Sequence, residues 1–243
     1  MTESSFLNYG LLVGLGLLPS IIWLIYFYRR DCHPEPKSLI GRVFLMGIII
    51  SPIAVFLQLA FNNISSLYFF QANTAGFFLW AALVEEIVKF VAVWSVAIKH
   101  PSFDEPVDAM IYMITAGLGF AAIENILVLF KTIPDGINVT LGVLALRFTG
   151  ATLLHALSSA VTGYFLALAW FSVRHRRKFI FGGIVFATFF HFVFNIFLAT
   201  TENQTAGLAM ATGLLVGLSL LVSILFQRSR DRSQNISEEI RLA

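Results

Sequence analysis

Long apolar runs alternate with short polar segments along the whole chain. Each run has about 20 residues or more, the length that lets an α-helix cross the hydrocarbon core of a bilayer. We predict spans at about residues 6–28, 39–61, 75–98, 107–130, 137–173, 179–199 and 206–226. The pattern therefore predicts an all-α, polytopic bundle of about seven spans, with residues 1–226 as one transmembrane domain and residues 227–243 as a polar tail.

The composition agrees with a membrane protein and narrows its partners. Hydrophobic residues make up 58% of the chain, charged residues only 12%, and the mean hydropathy is +0.82, so the lipid bilayer is the expected surrounding. The net charge of +2 is too small to predict a nucleic-acid partner. The single cysteine, Cys32, excludes an intrachain disulfide and a metal cluster built on cysteine.

The distribution of Lys and Arg predicts the orientation in the membrane. With the N-terminus outside, thirteen of the 16 Lys and Arg residues fall on inside segments and only Lys131 falls on an outside segment. The other two, Lys89 and Arg147, lie within predicted spans. Because basic residues are enriched on the cytoplasmic side, we predict an outside N-terminus and a cytoplasmic C-terminal tail.

The third predicted span contains three ionisable residues, Glu85, Glu86 and Lys89, inside an otherwise apolar run. Charged side chains are costly in hydrocarbon, and those that occur there usually face a protein interior or a wet cavity. On a helical wheel Lys89 lies between the two glutamates and can pair with either. Since one lysine cannot neutralise two carboxylates, we predict a functional site here and not only a structural ion pair.

Three further spans carry ionisable residues at a similar depth. Counted inward at about 1.5 Å per residue, Glu124 lies about 10 Å deep, His155 and His191 about 12 to 13 Å, and Glu85 and Glu86 about 15 to 17 Å. Unrelated structural residues would have no reason to share one depth. We therefore expect four helices to form a single polar site in the outer to middle part of the membrane.

The residues of this site are compatible with two hydrolytic mechanisms. In the first, Glu85 or Glu86 takes a proton from a water that attacks a peptide carbonyl, while His155 or His191 stabilises the oxyanion. In the second, a divalent metal such as zinc lowers the pKa of its bound water. The ligands of such a metal would be Glu86, Glu124, His155 and His191. The zincin spacing His-Glu-x-x-His is absent, and we favour the metal-free mechanism.

Other polar residues are expected to assist this site. Lys89 is expected to pair with a glutamate, Glu124 to orient a histidine or Lys89, and Asn195 to act with His191, one helical turn away. Arg147 lies nearer the outer surface, where we expect it to snorkel or to meet Glu202 in a structural role.

The order of these motifs resembles a known family. The motifs follow one another on successive spans as Glu85-Glu86-x-x-Lys89, Phe120-x-x-x-Glu124-Asn125, His155-Ala156-Leu157 with Gly163-Tyr164, and His191-x-x-x-Asn195. Together they resemble the PrsW family of intramembrane proteases, within the superfamily of type II CAAX prenyl proteases and bacteriocin-processing enzymes. The early segments Arg29-Arg30-Asp31 and Pro34-Glu35-Pro36 are similar to the opening of that family.

The resemblance implies a membrane-embedded, glutamate-dependent endopeptidase with either a glutamic or a metallo mechanism. Its expected partner is a membrane-spanning protein substrate, such as an anti-sigma factor cleaved at a first site on the outer side. Two other functions fit buried charges: a proton-coupled transporter, since Glu, His and Lys also form proton relays, and an inactive scaffold that binds a partner helix. No inverted repeat is visible, which favours the protease over the transporter. The sequence predicts no particular oligomeric state.

Overall fold

The computed structural model describes residues 3–31, 33–65, 74–171, 175–200 and 203–242. The α-helices in these ranges are α1 Glu3–Tyr28, α2 Lys37–Ser65, α3 Ala75–Val96, α4 Pro106–Thr132, α5 Ile137–Thr149, α6 Ala151–Phe171, α7 Arg176–Thr200 and α8 Gln204–Leu242. A short 3-10 turn, Ile133–Asp135, connects α4 to α5. The described residues contain no strand, which confirms the prediction of an all-α protein.

Six helical segments in the described ranges are long and apolar enough to cross a membrane, so the predicted polytopic helical bundle is confirmed. These segments are Tyr9–Tyr28, Lys37–Phe61, Pro106–Asp135, Ile137–Phe171, Arg176–Ala199 and Gln204–Gln234. Helix α3 has 22 residues, also enough to span, but it differs from the six because Glu85, Glu86 and Lys89 interrupt its apolar sequence. The inside and outside assignment stays a prediction.

Two predicted segments have different boundaries in the structure. The fifth predicted span is divided, because α5 ends at Thr149 and α6 begins at Ala151. Between them Gly150 has non-helical backbone angles, φ −104° and ψ −96°, while its N–H still donates to the Leu146 carbonyl. The predicted polar tail after residue 226 is helical, since α8 continues without interruption to Leu242.

Helix α4 lies at the centre of the bundle. It packs against α1, α2, α3, α5, α6 and α8, and its residues from Pro106 to Ala122 are all buried. Lipid-facing helices bury only one side, whereas α4 buries its whole circumference over this length. The central helix therefore fixes the relative positions of α2, α3 and α6, which carry site residues.

Glycines allow α4 to approach its neighbours closely. A Cβ atom on Gly47 of α2 or on Gly119 of α4 would lie within 2.3 Å of a backbone carbonyl oxygen of the other helix. On the opposite side, a Cβ atom on Gly163 of α6 would lie 2.6 Å from the Cα atom of Met110. Small residues at such crossings are a usual device of membrane bundles, where close packing replaces the hydrophobic effect.

Candidate active site

Helix α3 turns its three charged residues toward the interior of the bundle. The exposed fraction is 6% for Glu85 and 0% for Glu86 and Lys89, whereas Ile87 and Val91 on the opposite face are exposed. The helix begins with the Thr74 side chain accepting from the N–H of Phe77. Burial of three charges on one face requires partners on the neighbouring helices, and α6 and α7 provide them.

Glu86 is the most highly connected residue of the site. Its Oε1 atom accepts from the Lys89 ammonium at 2.7 Å and from the Ser158 hydroxyl of α6 at 3.0 Å. The same oxygen lies 2.9 Å from His191 Nδ1 of α7. An ionised carboxylate can only accept, so in a neutral His191 ring beside ionised Glu86 the proton lies on Nδ1 and the lone pair on Nε2.

Glu85 lies beside the second nitrogen of the same histidine. Its Oε1 atom accepts from the Gln58 amide of α2 at 2.9 Å. Its Oε2 atom lies 3.5 Å from His191 Nε2. Helices α2, α3 and α7 thus meet at this carboxylate.

His155 of α6 is held by a second acidic residue. Its Nε2 atom lies 2.9 Å from Glu124 Oε2, and Arg147 Nη2 donates to the same oxygen at 3.0 Å. Arg147 also donates through Nε to Asn125 Oδ1 at 2.6 Å, and Asn125 donates to the Thr152 hydroxyl. With Nε2 protonated toward Glu124, the His155 lone pair lies on Nδ1.

The acceptor atoms of Glu85, His155 and His191 converge on one point. One ligand atom from each residue lies within 4.8 Å of the other two, and all three side chains are buried. The two histidine rings are perpendicular, with centroids 5.0 Å apart. Among the described residues, Glu85 Oε2 and His155 Nδ1 are buried without a hydrogen-bond partner. A carboxylate and two imidazoles, each fixed through its other atom, form a donor set that suits a divalent metal such as zinc.

The structure brings together six of the seven residues that the sequence predicts for the site. These are Glu85, Glu86, Lys89, Glu124, His155 and His191. The seventh, Asn195, is half-buried on α7, and its side chain makes no hydrogen bond to the described residues. The converging metal-ligand group contains Glu85, whereas the predicted metal set contained Glu86 and Glu124, which here pair with Lys89 and Arg147.

Arg147 has a closer connection to the site than the sequence indicated. We expected it to snorkel or to meet Glu202, but it forms an ion pair with Glu124 and so contacts the partner of His155. Glu202 lies outside the described residues. Sequence reasoning also did not include Gln58 and Ser158, which bind the two glutamates of α3. The sequence feature that could have identified them is a polar side chain inside an apolar span. This feature is informative for glutamine but weak for serine, which is common in membrane helices.

A cavity of about 520 Å³ lies beside the site, between α5, α6, α7 and α8. Its lining is mainly apolar and includes Leu146, Phe194 and Leu215. Arg147 and Gly150, at the division between α5 and α6, also form part of its wall. Non-helical backbone at membrane depth is tolerated where it lines a cavity. Through Arg147 and Glu124 the cavity is connected to His155.

A second group of buried carboxylates lies at the end of α1 and the start of α4. Ligand atoms of Asp31, Glu35 and Asp108 lie within 4.8 Å of one another. The hydroxyl group of Tyr112 donates to Glu35 Oε2, and Asp108 Oδ2 accepts from the backbone N–H groups of Asp104 and Glu105. Burial raises the pKa of the Glu35 carboxyl above its ordinary value of 4.5, and the negative charge of Asp31 adds to this effect.

Comparison with known proteins gives one consistent result. The family model described as PrsW family intramembrane metalloprotease matches residues 35–226. The Protease PrsW of Geobacillus kaustophilus is 33% identical over 195 residues, which cover 79% of this chain and 81% of the relative. The Protease PrsW of Oceanobacillus iheyensis is 30% identical, with 80% and 86% covered, and that of Bacillus subtilis is 29% identical, with 79% and 84% covered. No solved structure matches the chain significantly.

Proposed function

The chain belongs to the PrsW family of intramembrane proteases, and on this premise we propose that it is an endopeptidase that cleaves a membrane-anchored protein. Its catalytic residues are Glu85, Glu86, His155 and His191. The expected substrate is a membrane-spanning protein such as an anti-sigma factor, cleaved at a first site on the outer side of the cell membrane.

The observation that carries the proposal is the convergence of acceptor atoms from Glu85, His155 and His191. Buried acceptors that face one another without a donor need a cation or a water between them. A carboxylate and two imidazoles are usual ligands of catalytic zinc, and the carboxylates of Glu86 and Glu124 orient the two histidines as in known zinc sites. We therefore propose that these three residues hold a divalent metal. The metal-free mechanism favoured from the sequence is the alternative outcome of the test.

The residues of the site have distinct tasks in this mechanism. Glu85, His155 and His191 would hold the metal, which would supply an activated water and polarise the peptide carbonyl. Glu86 holds His191 through Nδ1, and Lys89 balances the charge of Glu86. Among the described residues, Glu86 Oε2 is buried and has no hydrogen-bond partner, so it is the proposed acceptor for the proton of the attacking water.

The cavity beside Arg147 is the proposed binding place for substrate side chains. Its volume of about 520 Å³ takes several side chains but not a whole helix, and its mainly apolar lining suits a segment that leaves the bilayer. Ser219→Leu, which fills part of this cavity, is expected to raise KM with little change in kcat, because only substrate binding is affected. The matched control is Ser95→Leu, at an exposed serine of α3.

The main experiment tests cleavage and metal together. Purified protein is reconstituted in lipid vesicles with candidate single-span substrates, and the products are identified by mass spectrometry. We expect wild type to cleave and Glu85→Gln, Glu86→Gln, His155→Ala and His191→Ala to lose cleavage. A chelating phenanthroline should abolish wild-type cleavage and added zinc should restore it, while the non-chelating isomer of the same compound should have no effect.

Three outcomes would change the assignment. Undiminished cleavage in all four variants would place the active site elsewhere. Cleavage that resists metal removal but requires the glutamates would favour the metal-free mechanism. Proton-dependent uptake of a solute without cleavage would favour the transporter, and partner binding without either activity would favour the scaffold.

A further inference from the structure

Gln58 of α2 is a polar residue of the site that the mechanism above does not use. Its neighbours Ile53, Phe56 and Leu59 are exposed on the lipid side of α2. Gln58 is instead half-buried and donates through Nε2 to Glu85 Oε1 at 2.9 Å. An amide in hydrocarbon is costly unless it is hydrogen-bonded, so its presence in this span requires a reason.

The surrounding contacts hold this part of α2 against α3. The indole N–H of Trp80 donates to the carbonyl of Leu57 at 3.4 Å, and the Trp80 ring stacks on Phe61 with centroids 5.0 Å apart. Trp80 lies on α3, five residues before Glu85. Trp80 therefore holds the segment of α2 around Gln58, through the Leu57 carbonyl and the Phe61 ring, against the helix that carries Glu85.

The three converging residues are each anchored through the atom that faces away from the others. Glu124 contacts His155 at Nε2, Glu86 contacts His191 at Nδ1, and the Gln58 amide donates to Glu85 at Oε1. The first two anchors are carboxylates, which suit imidazole N–H groups, whereas a carboxylate needs a donor and receives an amide. Outer partners of this kind set the orientation of ligands and are costly to remove.

We infer that Gln58 is a positioning residue, whose amide turns Glu85 so that Oε2 faces His155 and His191. The inference rests on the proposed function and extends it to α2. Without the amide, the Glu85 side chain would be free to rotate away from the histidines, while the substrate cavity on the far side of Arg147 would be unchanged.

The test compares Gln58→Leu with Gln227→Leu. Gln227 is a matched control, because its Nε2 atom also donates to a carboxylate, Asp231 Oδ1, at 2.8 Å, on exposed positions of α8. For Gln58→Leu we expect kcat to fall by about 10- to 100-fold with KM within about twofold of wild type, as for other outer partners. Zinc affinity, measured by competition with a chromogenic chelator, is expected to weaken by a similar factor. Thermal melting of both variants checks that the bundle is intact.

A double variant separates positioning from general support of the fold. In the Glu85→Gln background, adding Gln58→Leu should cause no further loss of zinc affinity, because the residue through which Gln58 acts is already altered. An additional loss of the same size would overturn the inference and indicate a structural role. Equal kcat and zinc affinity in Gln58→Leu and Gln227→Leu, with active wild type, would also overturn it. Wild type that neither cleaves nor takes up zinc would instead overturn the proposed function, and the inference with it.

Discussion

Two groups of three carboxylates lie in different regions of this protein. One contains Glu85, Glu86 and Glu124 on α3 and α4, and the other contains Asp31, Glu35 and Asp108 near the end of α1 and the start of α4. Five of the six side chains are buried, and that of Glu124 is 28% exposed. The two groups differ in what surrounds them.

The acids in the middle of the bundle are combined with bases. Lys89 and Arg147 form ion pairs with Glu86 and Glu124, and two histidines lie between the acids. In the other group the donors include a tyrosine hydroxyl and backbone N–H groups at the start of α4, where an acidic side chain is a favourable cap. Buried acids occur in both groups and so do not by themselves mark the proposed active site. What distinguishes the group in the middle of the bundle is the set of basic side chains that contact its acids.

The largest expected contrast is in activity. His191→Ala removes a residue that contacts both glutamates of α3, so we expect kcat to fall by about 10² to 10⁴-fold. Glu35→Gln keeps an oxygen that can accept from Tyr112, and kcat should stay near wild type. Both are measured with the vesicle cleavage assay. Equal losses in the two variants would break the comparison, because the second group would then take part in the reaction.

The next contrast concerns stability. Lys89→Met leaves the charge of Glu86 buried without its cation, which typically costs about 3–5 kcal/mol when one partner of a buried pair is removed. Thermal unfolding in detergent measures the loss. The double variant Lys89→Met with Glu86→Gln should regain most of the stability but not the activity. Full stability in the single variant would mean that Lys89 does not balance Glu86.

A smaller effect is expected at the edge of the site. Arg147→Met removes one of the two groups that hold Glu124, and the remaining contact to His155 is expected to preserve most of the arrangement. We expect kcat to fall by about tenfold, the lower limit for outer partners of a ligand. The control is Lys131→Met, which removes the charge of an exposed residue near the end of α4, the helix that carries Glu124. This control variant should have the kcat of wild type. A loss as large as that of His191→Ala would give Arg147 a direct part in the reaction.

The smallest expected effect is a pH dependence of stability that arises from Glu35, in the group with Asp31 and Asp108. Since folding raises the pKa of Glu35, the folded protein holds this proton more tightly than the unfolded chain. The stabilisation that Glu35 gives to the folded state is fully present below the unfolded pKa of about 4.5. It is lost as pH rises through the pKa of Glu35 in the folded protein. The melting temperature of wild type should therefore fall over this range relative to Glu35→Gln. Parallel melting curves for the two proteins would contradict the prediction.

Much of the site could be predicted from periodicity and depth alone. Ionisable residues within apolar spans are rare, and counting at a fixed rise per residue put Glu85, Glu124, His155 and His191 into one layer. The choice of partners could not be predicted in the same way. The wheel allowed Lys89 to pair with either glutamate, and only the positions of α6 and α7 show that Ser158 and His191 join it at Glu86.

The division between α5 and α6 was not predictable for a different reason. Glycine is common within membrane helices, so Gly150 in an apolar run gave no signal of a break. Asn195 lies on the same helical face as His191, but its side chain makes no hydrogen bond to the other described residues of the site, and its supporting role stays a prediction. A face is defined only to within tens of degrees, whereas a hydrogen bond requires the atoms to lie within a few tenths of an ångström.

The glycine contacts of α4 have a consequence for mutational tolerance. Gly47, Gly119 and Gly163 leave no space for even a methyl group between α4 and its neighbours. Alanine at any of them must move α2 or α6 as a rigid unit, and these helices carry Gln58 and His155. In a saturation library scored for cleavage, these glycines should therefore tolerate as little variation as the proposed catalytic residues, although they lie outside the proposed site.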